Sequence, residues 1–340
     1  MWIKNKIRNF IVSVADSAVK NYIKSNERED EKLLSGEMAL DIKKMLWDSE
    51  KLPFIPENWD EYGFKVFSQG NEDGLIQYLI NHVEIENKTF VEFGVEDYSE
   101  CNTKFLLLHN NWTGLCMDGS EEAMKILKKR NLYWQHTIES KSAFITKENI
   151  NSLISESGFA GDIGLLSTDI DGVDYWVLDA IDCIKPRILI CEFNPIFGSK
   201  EKVSIPYKAD FYRTDAHYSN LYWGASLSAF VSLAKKKGFK LVCISSFGNN
   251  AFFVREDVKN SVPEVSAEKA FKKVKYRAGT SYPDLTYSVA LTTEEYGVGF
   301  RKGSDLVAAI NDFFKKAYAD GSMMKAAEKY GTQASIIPQK

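Results

Sequence analysis

Residues 89–118 read TFVEFGVEDYSECNTKFLLLHNNWTGLCMD, and this stretch decides the fold. An apolar run of strand length, TFVEFGV (89–95), is followed by a helical segment and then by a second apolar run, TGLCMDG (113–119). Gly94 permits a tight turn at the end of the first run. Strands that alternate with helices predict βαβ units, whose strands are parallel. The stretch therefore indicates the first unit of a parallel sheet with helices on its faces.

Five further apolar runs follow along the chain. They are YWQHTI (133–138), IGLLSTDI (163–170), RILICEFN (187–194), KLVCISSFG (240–248) and NAFFVRE (250–256). Helical patterns lie between most of them, at 120–131, 147–157, 174–183 and 224–237. The last two runs are joined only by Gly248 and Asn249, and a Gly-Asn turn is typical of an antiparallel hairpin. The sequence therefore predicts an α/β fold with a seven-stranded, mostly parallel sheet whose last strand is antiparallel.

Changes in the pattern of apolar and polar residues along the chain predict three regions. Residues 1–63 indicate an N-terminal helical extension with a charged linker, SNEREDEK. Residues 64–287 carry the strand and helix alternation. Residues 288–340 indicate a strand followed by two helices, with a cap at Ser304 or Asp305 and a break at Gly321.

Composition limits the classes of function. The 340-residue chain has a formal net charge of −4 and a pI near 5.8, which disfavours a nucleic-acid partner. Its five cysteines are scattered and form no CxxC pair, so neither a disulfide framework nor a zinc site is predicted and a reduced, cytoplasmic protein is expected.

The N-terminal residues leave two possibilities open. No apolar stretch reaches the roughly 18 residues of a spanning helix. Residues 2–14 place apolar side chains at helical spacing among Lys and Arg. Such a helix either packs on its own domain or a protein partner, or makes peripheral contact with a membrane.

A set of residues at predicted strand ends points to a nucleoside cofactor. Parallel α/β sheets bind ligands beyond the carboxyl ends of their strands, where the first turn brings backbone N–H groups close to the ligand. Glu92 and Gly94 stand at the first strand end, and Asp118 ends the second run, where its carboxylate can accept ribose hydroxyls. Ser142, Ala143 and Phe144 follow the third run and are expected near an adenine ring. A plain turn glycine and a solvated acid are the alternatives for Gly94 and Asp118.

A second set of residues could perform acid–base chemistry. Four polar residues, Asp169, Asp171, Glu192 and Asn194, stand at the ends of the fourth and fifth runs and so should meet at one edge of the sheet. A long aromatic connection follows, which carries His217, a residue whose ordinary pKa suits a general base. The alternatives are a loop histidine with an ordinary hydrogen bond, and aspartates that accept backbone N–H groups at the next helix start. Ligation of Mg²⁺ by the carboxylates is a further but less favoured interpretation.

Four segments resemble the FkbM-type methyltransferases. FSQGNEDGLIQYLI (67–80) is similar to a segment before the family's first strand, TFVEFGVEDYSECNT (89–103) to its glycine turn, NNWTGLCMDGSEEA (110–123) to its second strand, and LLSTDIDGVDYWVLDAI (165–181) to its Asp-x-Glu-Gly-x-Glu signature. The resemblance implies a class I, Rossmann-like methyltransferase fold that binds S-adenosylmethionine.

The resemblance also implies roles for individual residues. Asn102 and Asp169 join Glu92, Gly94, Asp118 and Ser142 as expected cofactor-binding residues. Asp171, Glu192 or His217 would take the proton of the acceptor. Glu96 stands where many methyltransferases carry a second glycine, and its carboxylate would repel the methionine carboxylate unless it turns away.

Three functions follow from these expectations. The first is an O-methyltransferase acting on a sugar, a glycan or another small hydroxyl compound. The second is a methyltransferase-like scaffold without catalysis. The third, a solute-binding protein, rests on the tail, because residues 290–331 resemble the C-terminal end of periplasmic amino-acid-binding proteins of ABC transporters. The tail could also dock a protein partner.

Overall fold

A computed structural model of the protein describes residues 29–47, 59–271 and 306–329. The chain divides into two units, Met1–Tyr276 and Arg277–Lys340. The expected regions 1–63, 64–287 and 288–340 stay predictions. The amphipathic N-terminal segment, the strand expected in the tail and the cap at Ser304 or Asp305 lie outside the described residues.

The first unit contains a seven-stranded sheet. Its strands are β1 (Thr89–Phe93), β2 (Thr113–Asp118), β3 (Ile138–Ser142), β4 (Gly161–Thr168), β5 (Ile184–Glu192), β6 (Phe239–Ile244) and β7 (Asn250–Arg255). The spatial order is β3-β2-β1-β4-β5-β7-β6, and only the pairings of β7 with β5 and β6 are antiparallel. This order with one reversed strand is that of the class I, Rossmann-like methyltransferase fold, so the predicted fold class is confirmed.

Ten described helices belong to the same unit. They are α1 (Glu29–Trp47), α2 (Glu72–His82), α3 (Lys104–Leu108), α4 (Glu121–Lys129), α5 (Leu132–Gln135), α6 (Ile150–Glu156), α7 (Asp174–Ala180), α8 (Arg213–Ala216), α9 (Leu227–Lys236) and α10 (Ala267–Phe271). The helices predicted at 120–131, 147–157, 174–183 and 224–237 are confirmed as α4, α6, α7 and α9, each somewhat shorter than predicted.

The central strands are buried on both faces. β1 lies between β2 and β4, with Phe93 opposite both Met117 and Thr168. Parallel strands that helices cover on both faces consist mainly of apolar residues, and for this reason these strands could be predicted from the sequence. Their carboxyl ends meet at one edge of the sheet, and the order reverses between β1 and β4.

The third strand was predicted wrongly. The run at 133–138 holds the short helix α5, in which Trp134 is 75% exposed, and β3 begins only at Ile138. β3 lies at the edge of the sheet and reads IESKS, with Ile138 and Ser140 buried and Glu139 exposed. Charged residues are common on edge strands because they discourage further pairing, so the most apolar stretch was not the strand.

The expected hairpin is confirmed. β6 and β7 pair antiparallel, and the turn between them is closed by the Gly248 amide, which donates to the Ser245 carbonyl at 3.0 Å. Gly248 has φ of +80°, a conformation that glycine adopts without strain.

The charged segment SNEREDEK is not a linker throughout. Its last four residues open α1, with Glu29, Asp30 and Glu31 in the first turn, where carboxylates interact favourably with the helix dipole. The Glu29 carboxylate also lies 2.7 Å from the ammonium of the buried Lys104.

Within its described residues, 306–329, the second unit has two helices, α11 (Leu306–Ala319) and α12 (Ser322–Lys329). Gly321 separates them with φ of +77°, as the sequence predicts. None of the helices in the described residues has the length and apolar content needed to cross a membrane.

Candidate functional site

A cavity of about 450 Å³ opens at the carboxyl ends of β1, β2 and β4. Its walls come from the turns after these strands, from the segment after β3 and from α8 with its flanking residues. The lining residues are Gly94, Asp118, Gly119, Ser120, Ala143, Phe144, Ile145, Ile170, Asp171, Gly172, Val173, Phe211, Tyr212, Arg213 and Thr214. This is the edge at which parallel α/β sheets bind ligands.

A second cavity, of about 370 Å³, lies at the opposite edge of the sheet. Thr89, Thr113 and Ile138, the first residues of three parallel strands, contribute to its wall. Ligands in such folds bind at the carboxyl edge, and the predicted site residues lie there, so the 450 Å³ cavity is the candidate site.

Asp118 joins the turns that form the cavity. Its Oδ2 accepts a hydrogen bond from the Glu96 amide at 2.8 Å, and its Oδ1 accepts one from the Ser120 amide at 2.7 Å. A carboxylate offers about four acceptor positions, so about two are left, and Asp118 lines the cavity. Asp118 is therefore held rigidly by two turns and still able to accept hydrogen bonds from a ligand.

Gly94 is required by the protein backbone itself. Its φ is +79°, and a Cβ at this position would lie 1.3 Å from the Asp169 carbonyl oxygen. The short distance arises because the turn after β4, which contains Asp169, packs directly against the turn after β1, which contains Gly94. Gly94 also lines the cavity, so a packing role and a ligand-facing role coincide at this residue.

Glu92 and Asn102 form hydrogen bonds that hold the turn after β1 in place. The buried Glu92 carboxylate accepts hydrogen bonds from the amides of Asn102 at 2.9 Å and Thr103 at 3.0 Å, just before α3. Burial raises the pKa of Glu92, whereas these hydrogen bonds lower it. The Asn102 side-chain amide donates to Ser167 Oγ at 3.1 Å. The cofactor roles of Glu92 and Asn102 stay predictions, and their visible contacts fix the shape of the turn.

One wall of the cavity is apolar and aromatic. Ser142 ends β3, and the next amide, that of Ala143, donates to the Asp118 carbonyl at 2.9 Å. Ala143 and Phe144 line the cavity, and the Phe144 ring contacts the ring of Tyr212, with 5.2 Å between the two ring centroids. The segment 142–144 therefore presents an aromatic side chain to the cavity, and its place beside an adenine ring stays a prediction.

Three carboxylates meet at the ends of β4 and β5. Asp169, Asp171 and Glu192 each place a carboxylate oxygen within 4.8 Å of the others. Burial, then the nearby charges of Asp174 and Asp171, raises the pKa of Asp169 to about 8. Burial, then the charge of Asp169, raises the pKa of Glu192 well above its usual range. The predicted meeting of these residues is seen, and acids with raised pKa values are typical of functional sites.

Asp174 caps the turn between β4 and α7. Its two carboxylate oxygens accept hydrogen bonds from the amides of Ile170 at 2.8 Å and Gly172 at 3.1 Å. Burial is the main cause that raises the Asp174 pKa to about 6. The sequence offered Asp169 and Asp171 for this capping role, and that interpretation is wrong because Asp174 fills it.

Arg213 is a site residue that the sequence analysis missed. Its guanidinium forms an ion pair with Asp171 and lies over the Trp223 ring, 4.9 Å from the ring centroid. Asp171 has φ of +52°, which turns it towards the long connection after β5. The only signal in the sequence was a lone arginine in an aromatic loop. Arg213 lines the cavity beside the acids.

His217 and Glu96 lie apart from the cavity lining. His217 Nδ1 is 2.7 Å from Ser219 Oγ in a local turn, so its predicted role as a base stays a prediction that this contact does not support. Glu96 is exposed and has φ of +46°; its amide, rather than its carboxylate, faces Asp118. The expected repulsion of a cofactor carboxylate by Glu96 stays a prediction.

No protein-family model matches the chain, and no curated protein is similar enough to match. Among solved structures, the N-terminal domain of EvdMO1 with SAH bound is similar over 66% of this chain and 96% of its own, at 10% identity and a TM-score of 0.35. Geranyl diphosphate C-methyltransferase from Streptomyces coelicolor A3(2) is similar over 52% of this chain and 65% of its own, at 12% identity and a TM-score of 0.33. An S-adenosylmethionine-dependent methyltransferase from Clostridium acetobutylicum ATCC 824 is similar over 51% and 84%, at 9% identity and a TM-score of 0.32.

The fold assignment rests on the strand order, and the FkbM-type and solute-binding resemblances stay predictions.

Proposed function

We propose that the protein is an S-adenosylmethionine-dependent O-methyltransferase whose acceptor is a sugar, a glycan or another small hydroxyl compound. The observation that carries the proposal is a single cavity at the point where the strand order reverses, with Asp118 on one side and Asp171 on the other. Reversal points in α/β sheets are where nucleotide-like ligands bind.

The residues present fit the cofactor. Asp118 has acceptor positions directed to the cavity for ribose hydroxyls, and Phe144 offers a flat face for the adenine ring. The turn at Gly94 keeps the backbone close to the ligand space without a side chain in between. The volume of about 450 Å³ lies within the range of about 300–1,000 Å³ that is usual for small-molecule sites.

Methyl transfer asks little of the protein beyond alignment and removal of a proton. Bound S-adenosylmethionine supplies a methyl group on a sulfonium, and its transfer to a hydroxyl yields a methyl ether, S-adenosylhomocysteine and one proton. Asp171 lines the cavity, and Asp169 lies beside it with a pKa near neutrality. Asp171 is exposed and lines the cavity, so it is the best-placed acceptor of that proton, whereas the raised pKa of Asp169 keeps this neighbouring acid largely protonated near neutral pH.

The aromatic connection after β5 supports a sugar acceptor. Tyr212 is 57% exposed and Tyr222 is 44% exposed, and Tyr212 lines the cavity. Aromatic rings offer flat apolar faces with a polar tip, which suits the alternating C–H faces and hydroxyl edges of a sugar ring.

The test is methyl transfer from isotope-labelled S-adenosylmethionine to a panel of sugars, glycans and phenols. We expect a labelled methyl ether with at least one hydroxyl acceptor, and loss of the product with Asp171→Asn. Glu122→Gln removes a charge from an exposed position of α4 and serves as the matched control. Labelled product that is equally abundant with Asp171→Asn would remove this acid from the mechanism.

A further inference from the structure

Helix α1 is anchored to the first unit by its inner face. Leu40 is fully buried there, and a Cβ at Gly36 would lie only 2.6 Å from a methyl group of Val66, so the helix packs closely on the domain. At the start of the helix, the Glu29 carboxylate lies 2.7 Å from the ammonium of the buried Lys104. α1 is therefore a firm part of the domain surface.

The outer face of α1 is apolar where polar side chains are expected. Leu34, Met38 and Met45 are 51%, 57% and 74% exposed. Their spacings of four and seven residues place them in one line along the helix, which we call the α1 stripe. A helix that packs by one face normally carries polar side chains on the other. Single exposed apolar residues are common, but a continuous set of them marks an interaction surface.

Acidic side chains border the α1 stripe. Asp41 is exposed and lies within the stripe, between Met38 and Met45. Glu37 lies at its edge and its side chain is 41% exposed. Asp30, in the first turn, is exposed as well. An occupant of this face should therefore combine apolar side chains with positive charges.

One segment of this chain has that chemistry. Residues 2–14, WIKNKIRNFIVSV, lie outside the described residues and place apolar side chains at helical spacing. The segment contains Lys4, Lys6 and Arg8 and no acid. Its charge is opposite in sign to that of the border of the α1 stripe, and an amphipathic helix formed by it would have an apolar face to match.

The connection to α1 is long enough for the segment to reach the stripe. Residues 15–28 join it to Glu29, the first residue of α1. Fourteen residues span up to roughly 50 Å when extended, whereas the 19 residues of α1 cover about 28 Å. Covalent linkage also gives the segment an effective concentration on the order of millimolar, so a weak contact is sufficient.

Other occupants match the α1 stripe less well. A second copy of the chain that docked through its own α1 would bring Asp41 and Glu37 against the same acids, and like charges at an interface oppose association. An anionic membrane would attract the basic segment but repel the acids of α1, and so would leave the stripe uncovered.

We propose that residues 2–14 dock as an amphipathic helix along the outer face of α1. Their apolar side chains pack on Leu34, Met38 and Met45, and their basic side chains lie towards the acids at the border of the stripe. The docking does not rest on the proposed function, because it involves no residue of the 450 Å³ cavity.

The experiment is hydrogen exchange of the full-length protein, read by mass spectrometry of its peptides. In the wild type, we expect amides within 2–14 to exchange at least about tenfold more slowly than in an unprotected chain. The double variant Leu34→Gln with Met38→Gln keeps good helix formers in α1 and should bring the exchange to within about twofold of the unprotected rate. Ile126→Gln removes a 40% exposed apolar side chain from α4 and should exchange as the wild type does.

Asp41→Lys tests the charge of the stripe independently, and serves if the double variant does not fold. It should also speed exchange within 2–14, whereas Glu122→Lys, at an exposed position of α4, should not. Unprotected amides in the wild type would overturn the proposal, as would equal protection in the double variant and in Ile126→Gln. Protection that rises with protein concentration would indicate a second copy as the occupant. Protection that requires phosphatidylserine vesicles would indicate a membrane, and either result would overturn the proposal.

Discussion

The pair Asp169 and Glu192 should make the protein less stable at alkaline pH when no divalent cation is present. Both pKa values are raised in the folded protein, that of Asp169 to about 8. The folded state therefore holds more protons than the unfolded state up to about pH 8, and the free energy of unfolding falls as pH rises through this range. The variant Glu192→Gln removes one of the two charges and should flatten the fall.

The size of the effect follows from the distance between the two carboxylates. Two like charges no more than 4.8 Å apart repel by at least about 3 kcal/mol at an effective dielectric constant of about 20. Asp169 is partly accessible to solvent, which screens part of this repulsion. We expect Glu192→Gln to be about 2 kcal/mol more stable than the wild type at pH 8.5, which corresponds to a rise in Tm of roughly 4–8 °C.

The assay is thermal unfolding in chelator-containing buffer between about pH 7.5 and 8.5, above the range in which Asp73 and Asp174, with pKa values of about 6, titrate. Glu268→Gln is the control for loss of one surface charge. The repulsion argument would be refuted if the Tm of Glu192→Gln at pH 8.5 were equal to or below that of the wild type. It would also be refuted if the wild-type Tm did not fall more steeply with rising pH than the Tm of the variant.

Three further predictions concern the framework of the site. In urea unfolding, Gly94→Ala should lower the free energy of unfolding by more than about 3 kcal/mol, because the new Cβ would clash with the Asp169 carbonyl oxygen. Gly158→Ala is the control: Gly158 also has a positive φ, +84°, but open space around it, so the loss should be only about 1–2 kcal/mol. Asp73→Ala should cost about 3–5 kcal/mol in the same assay, because Asp73 Oδ2 accepts the buried amides of three residues at 66–68, and a loss below about 1 kcal/mol would contradict this. Phe144→Ala should weaken S-adenosylhomocysteine binding roughly tenfold in calorimetry, and unchanged affinity would exclude Phe144 as the adenine platform.

Strands buried on both faces could be predicted from the sequence, and so could β6 at one edge of the sheet, but β3 at the other edge could not. β1, β2, β4 and β5 are continuous apolar runs because helices cover both faces of the sheet. β3 has only one neighbour, β2, and its alternating polar residues resemble a loop. The preceding run, which contains Trp134, is more apolar and was therefore predicted as the strand in place of residues 138–142.

The candidate site divides in a similar way. The end positions of parallel strands follow from the fold, so Asp118 and the acids at 169, 171 and 192 were placed at one edge from the sequence alone. The contribution of Arg213 depends on the course of a long irregular connection, for which the sequence has no periodicity. The capping role of Asp174 depends on which of several nearby acids reaches two amides, and only the geometry decides that.

Titration calorimetry of the full-length protein with S-adenosylhomocysteine tests the central claim most directly, with Asp118→Asn and the control Glu122→Gln measured alongside. Asp118→Asn should retain the fold by thermal unfolding but lose about 2–3 kcal/mol of binding free energy, because a charged acceptor for the ribose hydroxyls is lost. Micromolar binding by the wild type and Glu122→Gln, and binding about 30- to 150-fold weaker by Asp118→Asn, is the predicted result. No binding to the wild type at millimolar S-adenosylhomocysteine would contradict the assignment and favour a scaffold that has the methyltransferase fold without its cofactor.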